Sequence, residues 1–271
     1  MPELPEVETV RRGVEPHISG RRVLSMSLRE PRLRWPVDED LPRLLKGKQF
    51  GAAKRRGKYL LLELGEGHLM VHLGMSGRLY LVNADQPAAV HDHIDWYLDD
   101  GHALRYSDPR RFGSVFYLPA GEPRPKLLDS LGPEPLSDEF DGDFLYQRSR
   151  GRKSSVKTFL MDSHLVVGVG NIYANEALFM SGILPSRAAG RISLQRYRDL
   201  AAAVKQVLQK AIAQGGTTLR DFVGGDGKPG YFAQELQVYG KAGKPCPQCK
   251  APLTESRLGQ RSTVFCRRCQ R

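Results

Sequence analysis

A proline stands at position 2, followed directly by a carboxylic acid, Glu3. We expect Met1 to be trimmed, as a small second residue permits, which leaves a secondary amine at the terminus. An α-amino group titrates near about 7.7–8.0, against about 10.4 for lysine, so more of it is neutral and nucleophilic at physiological pH. Attack of such an amine on an aldehyde-like carbon gives a charged iminium. That iminium is an electron sink which loosens a proton on the neighbouring carbon and favours elimination. A second constellation uses all four cysteines: Cys246-Pro-Gln-Cys249, sixteen residues, then Cys266-Arg-Arg-Cys269. Two such pairs suit a tetrahedral Zn²⁺ site in which each turn supplies two thiolates. A site with four protein ligands has no open position, so the expected role of the metal is to fold a basic hairpin. Disulfides are the weaker reading in a chain with no export signal.

Other groups are suggestive by type and position. Arg55-Arg56-Gly57-Lys58 opens an apolar strand. Gly74-Met75-Ser76-Gly77 and Asp108-Pro-Arg110-Arg-Phe112-Gly113 are turns that present a methionine, arginines and an aromatic ring. Such tips resemble the wedges that DNA-binding proteins push into base stacks. Gly168-Val-Gly-Asn171 precedes a helix and offers backbone N–H groups to a phosphate. Arg257, Arg261, Ser262 and Thr263 lie between the cysteine pairs as further phosphate contacts. His91-Asp92-His93 with Asp95 looks like part of a metal site, but strand alternation turns both histidines away from Asp92.

The elements that must position these groups are legible. Leu4, Val7, Val10, Val14 and Ile18 form a helix stripe with Pro5 in its first turn, and Pro16 is expected to kink or fray its end. Eight short strand-like stretches follow between residues 22 and 118, separated by glycine turns, and read as an antiparallel sandwich. Prolines 119–135 mark a boundary. Helical patterns then run over 144–150, 155–161, 171–181 and 193–214, the last with Ser193 as N-cap and Gly215-Gly216 as its stop. Gly224–Gly230 reads as a mobile loop.

The 271 residues carry a net charge of +11, with +7 of it in residues 241–271. A second basic cluster, Arg148, Arg150, Arg152, Lys153 and Lys157, holds no acid. This balance points to a polyanionic partner. No apolar run reaches membrane-spanning length and no signal peptide is visible, so a cytoplasmic protein is expected.

Taken together, Met1–Thr9, Lys58 before its strand, Gly168–Glu176 and the closing cysteine pairs resemble the bacterial formamidopyrimidine-DNA glycosylases along the whole chain. The resemblance implies an α+β multidomain fold. Residues 1–131 would be a catalytic β-sandwich domain with flanking helices, 132–149 a linker, 150–236 a helix–two-turn–helix region with a lesion loop, and 237–271 a zinc finger. It also implies a monomeric bacterial enzyme of base excision repair, acting near the nucleoid on double-stranded DNA that contains an oxidised purine or an abasic site, with one structural Zn²⁺ on Cys246, Cys249, Cys266 and Cys269.

By the same resemblance, Pro2 attacks C1′, Glu3 is the acid that helps open the sugar, Lys58 donates a proton and contacts phosphate, and Arg261 serves the last elimination. Met75, Arg110 and Phe112 fill the gap left by the flipped nucleotide. His91, Arg152 and Asn171 touch DNA, and residues 216–231 close over the lesion. Two rival readings are a sister glycosylase for oxidised pyrimidines, endonuclease VIII, and a non-catalytic zinc-finger DNA-binding protein. Leu4, the Met75/Arg110/Phe112 set and the glycine-rich loop favour the purine enzyme over the first. The second leaves Pro2-Glu3 and Lys58 unexplained.

Overall fold

The structure, a computed structural model, describes residues 2–121, 126–217 and 235–271. The chain divides into two units: one built on residues 1–125 and re-entered at Gln214, the other on residues 126–213 and 234–271.

In the first unit the apolar stripe read from the sequence becomes helix α1 (Leu4–Ile18), with Leu4, Val7, Val10, Val14 and Ile18 all buried. The expected disruption at Pro16 does not occur, because the helix runs two residues past it. A proline so near the end removes one terminal hydrogen bond, and full burial of Ile18 favours completing the turn.

All eight expected strands are present: β1 (Val23–Leu28), β2 (Phe50–Arg56), β3 (Tyr59–Leu64), β4 (Gly67–His72), β5 (Arg78–Asn83), β6 (Asp92–Leu98), β7 (His102–Ser107) and β8 (Ser114–Leu118). They form two antiparallel four-stranded sheets, ordered β1-β6-β7-β5 and β2-β3-β4-β8. Inward residues of both sheets, among them Leu60, Leu62 and Leu64 on β3 and Ile94 and Trp96 on β6, share one core with the buried face of α1. A short helix, α2 (Leu41–Leu45), was not legible in the sequence; it packs on β1 and buries Leu41 and Leu45.

The second unit contains α3 (Lys126–Asp129), α4 (Gly142–Ser149), α5 (Val156–Leu160), α6 (Asn171–Met180) and α7 (Leu194–Ala213). Helix α4, capped by the Asp141 carboxylate on the Phe144 N–H at 2.7 Å, lies within the stretch read as a linker and packs against α7. Helix α6 is buried from Ile172 to Phe179, as a central helix surrounded by other elements must be. Helix α7 stops where Gly215 and Gly216 take φ of +72° and +77°. The chain closes with a hairpin, β9 (Thr254–Leu258) and β10 (Arg261–Phe265). Among the described residues no helix is long and apolar enough to cross a membrane.

Candidate nucleic-acid interface and catalytic terminus

Pro2 and Glu3 are both buried at the start of α1. Glu3 is the N-cap, in extended conformation, and forms a capping box with Glu6, whose Oε2 accepts the Glu3 N–H at 2.8 Å. The other oxygen of Glu6 accepts the Thr217 N–H at 2.8 Å. Glu6 therefore fastens two segments together: the amino end bearing the proposed nucleophile, and the chain as it re-enters this unit after α7. Gly216 is needed there, since its φ is positive and a Cβ would lie 3.2 Å from Glu6 Oε1. The lesion loop read over residues 216–231 lies outside the described residues from Thr218 onward, as does the glycine-rich stretch 224–230.

Lys58 sits in the two-residue turn between β2 and β3, where Arg56 pairs with Tyr59. Gly57 supplies the positive φ of +56° that such a turn requires at its first central position. Lys58 thus stands directly before its apolar strand, as the sequence implies, in the turn that leads into β3. Beside it is His72, whose ring lies 4.8 Å from the Tyr59 ring and whose Nδ1 accepts the Gly74 N–H at 3.1 Å. Burial, followed by the positive charges of Lys58 and Arg34, pushes the His72 pKa down to about 4, so the imidazole is neutral at physiological pH.

Asp108 organises the two wedge turns. Its carboxylate is fully buried and accepts the Ser76 hydroxyl at 2.7 Å, the Gly113 N–H at 2.9 Å and the Tyr106 hydroxyl at 3.1 Å. The Arg110 N–H points to both Asp108 Oδ1 and Ser76 Oγ, at 3.3 and 3.2 Å. The turns also meet directly, since a Cβ on Gly74 would lie 2.4 Å from the Phe112 carbonyl carbon. Met75 is half-buried, Arg110 and Phe112 are exposed, and the Arg110 guanidinium lies 5.0 Å from the Phe112 ring. The backbone of Asp108 completes the assembly, its N–H donating to the His91 carbonyl and its carbonyl bonded to His93 Nε2 at 2.8 Å. The structure thus brings together Met75, His91, Arg110 and Phe112 through one buried aspartate.

The metal fragment suggested by His91, Asp92, His93 and Asp95 is not a metal site. His91 is exposed, His93 is committed to Asp108, and both aspartates bind the buried Arg105. Among the described residues only Cys246, Cys249, Cys266 and Cys269 form a group able to hold a metal, with all four Sγ atoms within 4.8 Å of one another. Two of the pairs, at 3.9 and 3.5 Å, bracket the ~3.8 Å edge of a tetrahedron with Zn–S bonds of about 2.3 Å. The residues fit one structural Zn²⁺.

In the second unit the finger docks on α6, with Phe179 joining Val238, Leu253, Val264 and the cysteines in one small core. Asn175 accepts the Val264 N–H at 2.9 Å, and the Glu176 carboxylate accepts the N–H groups of Gln237, Val238 and Tyr239. Burial raises the pKa of Glu176 despite those three donors. Arg261 is exposed at the hairpin tip, beyond a turn whose residues Gly259 and Gln260 both have positive φ. A cavity of about 400 Å³ brings Arg261 together with Arg148, Arg152 and Lys157. Asn171 begins α6 behind Gly170 and is half-buried; its Oδ1 has no hydrogen-bond partner among the described residues.

Two sequence expectations are corrected here. Lys157 is not part of an open basic surface: it is buried and donates to the Ser262 carbonyl and Thr263 Oγ1 at 2.8 and 2.7 Å. Thr263 is buried with it, so this residue braces the hairpin and does not reach a phosphate. Sequence reasoning also missed His72, Arg105 and the organising role of Asp108, because each depends on partners far away in the chain. Glu6 was recoverable, since a glutamate three residues after an N-cap is a capping-box signature.

An antiparallel sandwich with a buried, capped Pro2-Glu3 at the start of its first helix, and a helical unit gripping a four-cysteine hairpin, define the class of zinc-finger helix–two-turn–helix DNA enzymes. Residues 1–115 match the formamidopyrimidine-DNA glycosylase N-terminal domain, residues 131–223 its H2TH domain, and residues 243–271 the zinc finger found in FPG and IleRS. The formamidopyrimidine-DNA glycosylase of Hahella chejuensis is 60% identical over 271 residues, with both chains fully covered. Among solved structures, wild-type Lactococcus lactis Fpg (MutM) with DNA containing N7-benzyl-Fapy-dG superposes with a TM-score of 0.92 at 36% identity, covering both chains fully. The same Lactococcus lactis protein with DNA containing an oxidised pyrimidine superposes at 0.92 with 35% identity and the same full coverage. The chain belongs to the formamidopyrimidine-DNA glycosylase family.

Proposed function

We propose that the chain is a bifunctional DNA glycosylase and abasic-site lyase of base excision repair that removes oxidised purines such as 8-oxoguanine and formamidopyrimidines. The observation that carries the reading is the capping box at the buried start of α1, which holds Pro2 and Glu3 in one orientation and ties them through Glu6 to Thr217. Full-length identity of 60% to a named formamidopyrimidine-DNA glycosylase supports it. The functional division into residues 1–131, 132–149, 150–236 and 237–271, and a cytoplasmic, nucleoid-associated location in a bacterial cell, belong to the same proposal.

Once Met1 is removed, the Pro2 nitrogen attacks C1′, the bond from C1′ to the damaged base breaks, and Glu3 delivers a proton to the ring oxygen as the sugar opens. The proton lost by the nitrogen goes to the departing base, and the electron pair it frees expels the protonated ring oxygen from C1′ to leave the iminium. Loss of a C2′ proton then expels the 3′ phosphate, and a second elimination expels the 5′ phosphate. Lys58 supplies positive charge and a proton around these steps, and Arg261 holds phosphate during the last one. Met75, Arg110 and Phe112 offset the few kcal/mol lost on extruding the nucleotide, while His91, Arg152 and Asn171 contact the duplex. Cys246, Cys249, Cys266 and Cys269 would hold one Zn²⁺ whose four protein ligands leave no open position, so it would serve to fold the finger.

The test is borohydride trapping on a duplex with 8-oxoguanine opposite cytosine, with an undamaged control. A covalent adduct mapped to Pro2 is expected; an adduct on Lys58, or full lyase activity with Met1 retained, would overturn the mechanism. The rival reading is a pyrimidine-directed enzyme, and since Lactococcus lactis Fpg was also solved with DNA containing an oxidised pyrimidine, lesion preference is what separates the two. Strong preference for thymine glycol over 8-oxoguanine would establish it.

A further inference from the structure

Arg105 lies in the middle of β7, 1% exposed, and every one of its five N–H groups is paired. Nε and Nη2 form a fork on the two Asp95 oxygens, both at 2.8 Å. Nη1 reaches Asp92 Oδ2 at 3.3 Å, and the remaining hydrogens go to the Pro87 and Gln86 carbonyls at 3.2 and 2.9 Å. Those two carbonyls belong to the exposed segment that leads into His91. The same Asp92 oxygen accepts the Ala89 N–H at 2.8 Å. A loop whose side chains face solvent is therefore fastened through its backbone to one buried guanidinium.

Charge sharpens the point. Asp92 and Asp95 lie within four residues of His91, and unneutralised they would repel a phosphate there. Arg105, with Arg29 at 2.5 Å from Asp95, brings the two carboxylates to zero net charge. We propose that Arg105 is a positioning residue for DNA binding, which fixes the backbone before His91 and cancels the acidic charge behind it. The inference rests on the reading of His91 as a DNA contact.

Lysine keeps the charge but lacks the planar fork, so Arg105→Lys separates geometry from electrostatics. Affinity for a duplex with a stable abasic analogue is measured for the wild type, R105K, H91A and the double variant. R105K is expected to weaken binding by about tenfold alone and by less than about twofold in the H91A background, because both changes remove one contact. Equal losses in the two backgrounds would overturn the inference. An H91A variant that binds as tightly as the wild type would instead overturn the reading of His91 itself. Hydrogen exchange on the wild-type protein tests the fastening without any variant: the Ala89 amide, though its residue is exposed, is expected to be protected. Exchange at the free-peptide rate would refute the proposal even if R105K did not fold.

Discussion

The Ser76 hydroxyl donates to the buried Asp108 carboxylate at 2.7 Å, which joins the turn carrying Met75 to the turn carrying Arg110 and Phe112. The Arg110 N–H on Ser76 Oγ and the close approach of Gly74 to the Phe112 backbone add to that link, so the methionine and the arginine are positioned together. Ser76→Ala removes a bond to a charged group and should cost about 1.5–3 kcal/mol of stability. Excision of 8-oxoguanine from a duplex should fall by about tenfold, with a smaller loss on a preformed abasic site, where extrusion costs less. Melting curves and single-turnover rates on the two substrates check this; equal losses on both would show that the turns do not act on extrusion.

His72 gives the free protein a pH signature. Its folded pKa of about 4 lies below the ordinary 6.5. Above about 6.5 the ring is neutral in both states and stability is complete; between about 6.5 and 4 only the unfolded chain takes the proton, so stability falls with pH and levels off below. The geometry agrees, since Nδ1 must be unprotonated to accept the Gly74 N–H. Urea titrations from pH 7.5 to 4 should show an acid loss on the order of 3 kcal/mol that His72→Asn abolishes. An unchanged pH profile in the variant would refute it.

Most of the fold was legible because it is written in period. The 3.6-residue stripe of α1, the apolar run Tyr59–Leu64 and the glycine stop of α7 each follow from nearest-neighbour chemistry. The four cysteines were legible for the same reason, their spacing being local within each knuckle. What stayed hidden was the support beneath the site. An arginine in His102–Ser107 carries no mark that five donors will meet two aspartates and two carbonyls, and Asp108 before a proline reads only as a turn residue. Lys157 misled because a lysine among arginines looks solvated, whereas its partners are 105 and 106 residues away in the finger.

Removal of zinc should damage one unit and leave the other intact. The finger core contains Cys246 and Cys266 beside Phe179 of α6, so losing the metal exposes apolar surface on both and frees the hairpin that presents Arg261. The sandwich core shares none of these residues. Chelation, or Cys249→Ser, should therefore lower DNA affinity by about tenfold or more while the melting transition of the sandwich persists. Unchanged affinity would show that the finger does not bind DNA.

Glu6 provides the sharpest separation of positioning from chemistry at the terminus. Its two oxygens accept the Glu3 and Thr217 N–H groups, and both bonds are buried. Glu6→Ala leaves two buried donors without their acceptor, at about 1–3 kcal/mol each. Glu6→Gln keeps one carbonyl oxygen and turns the other into an amide that meets a donor, so it loses one bond and gains a clash. Neither change touches the Pro2 nitrogen or the Glu3 carboxylate. Both variants should still form the borohydride adduct on Pro2, but more slowly, with base excision and lyase activity falling together. A selective loss of base excision would instead assign Glu6 a direct proton-transfer role, and an unchanged rate would show that the proline needs no fixed seat.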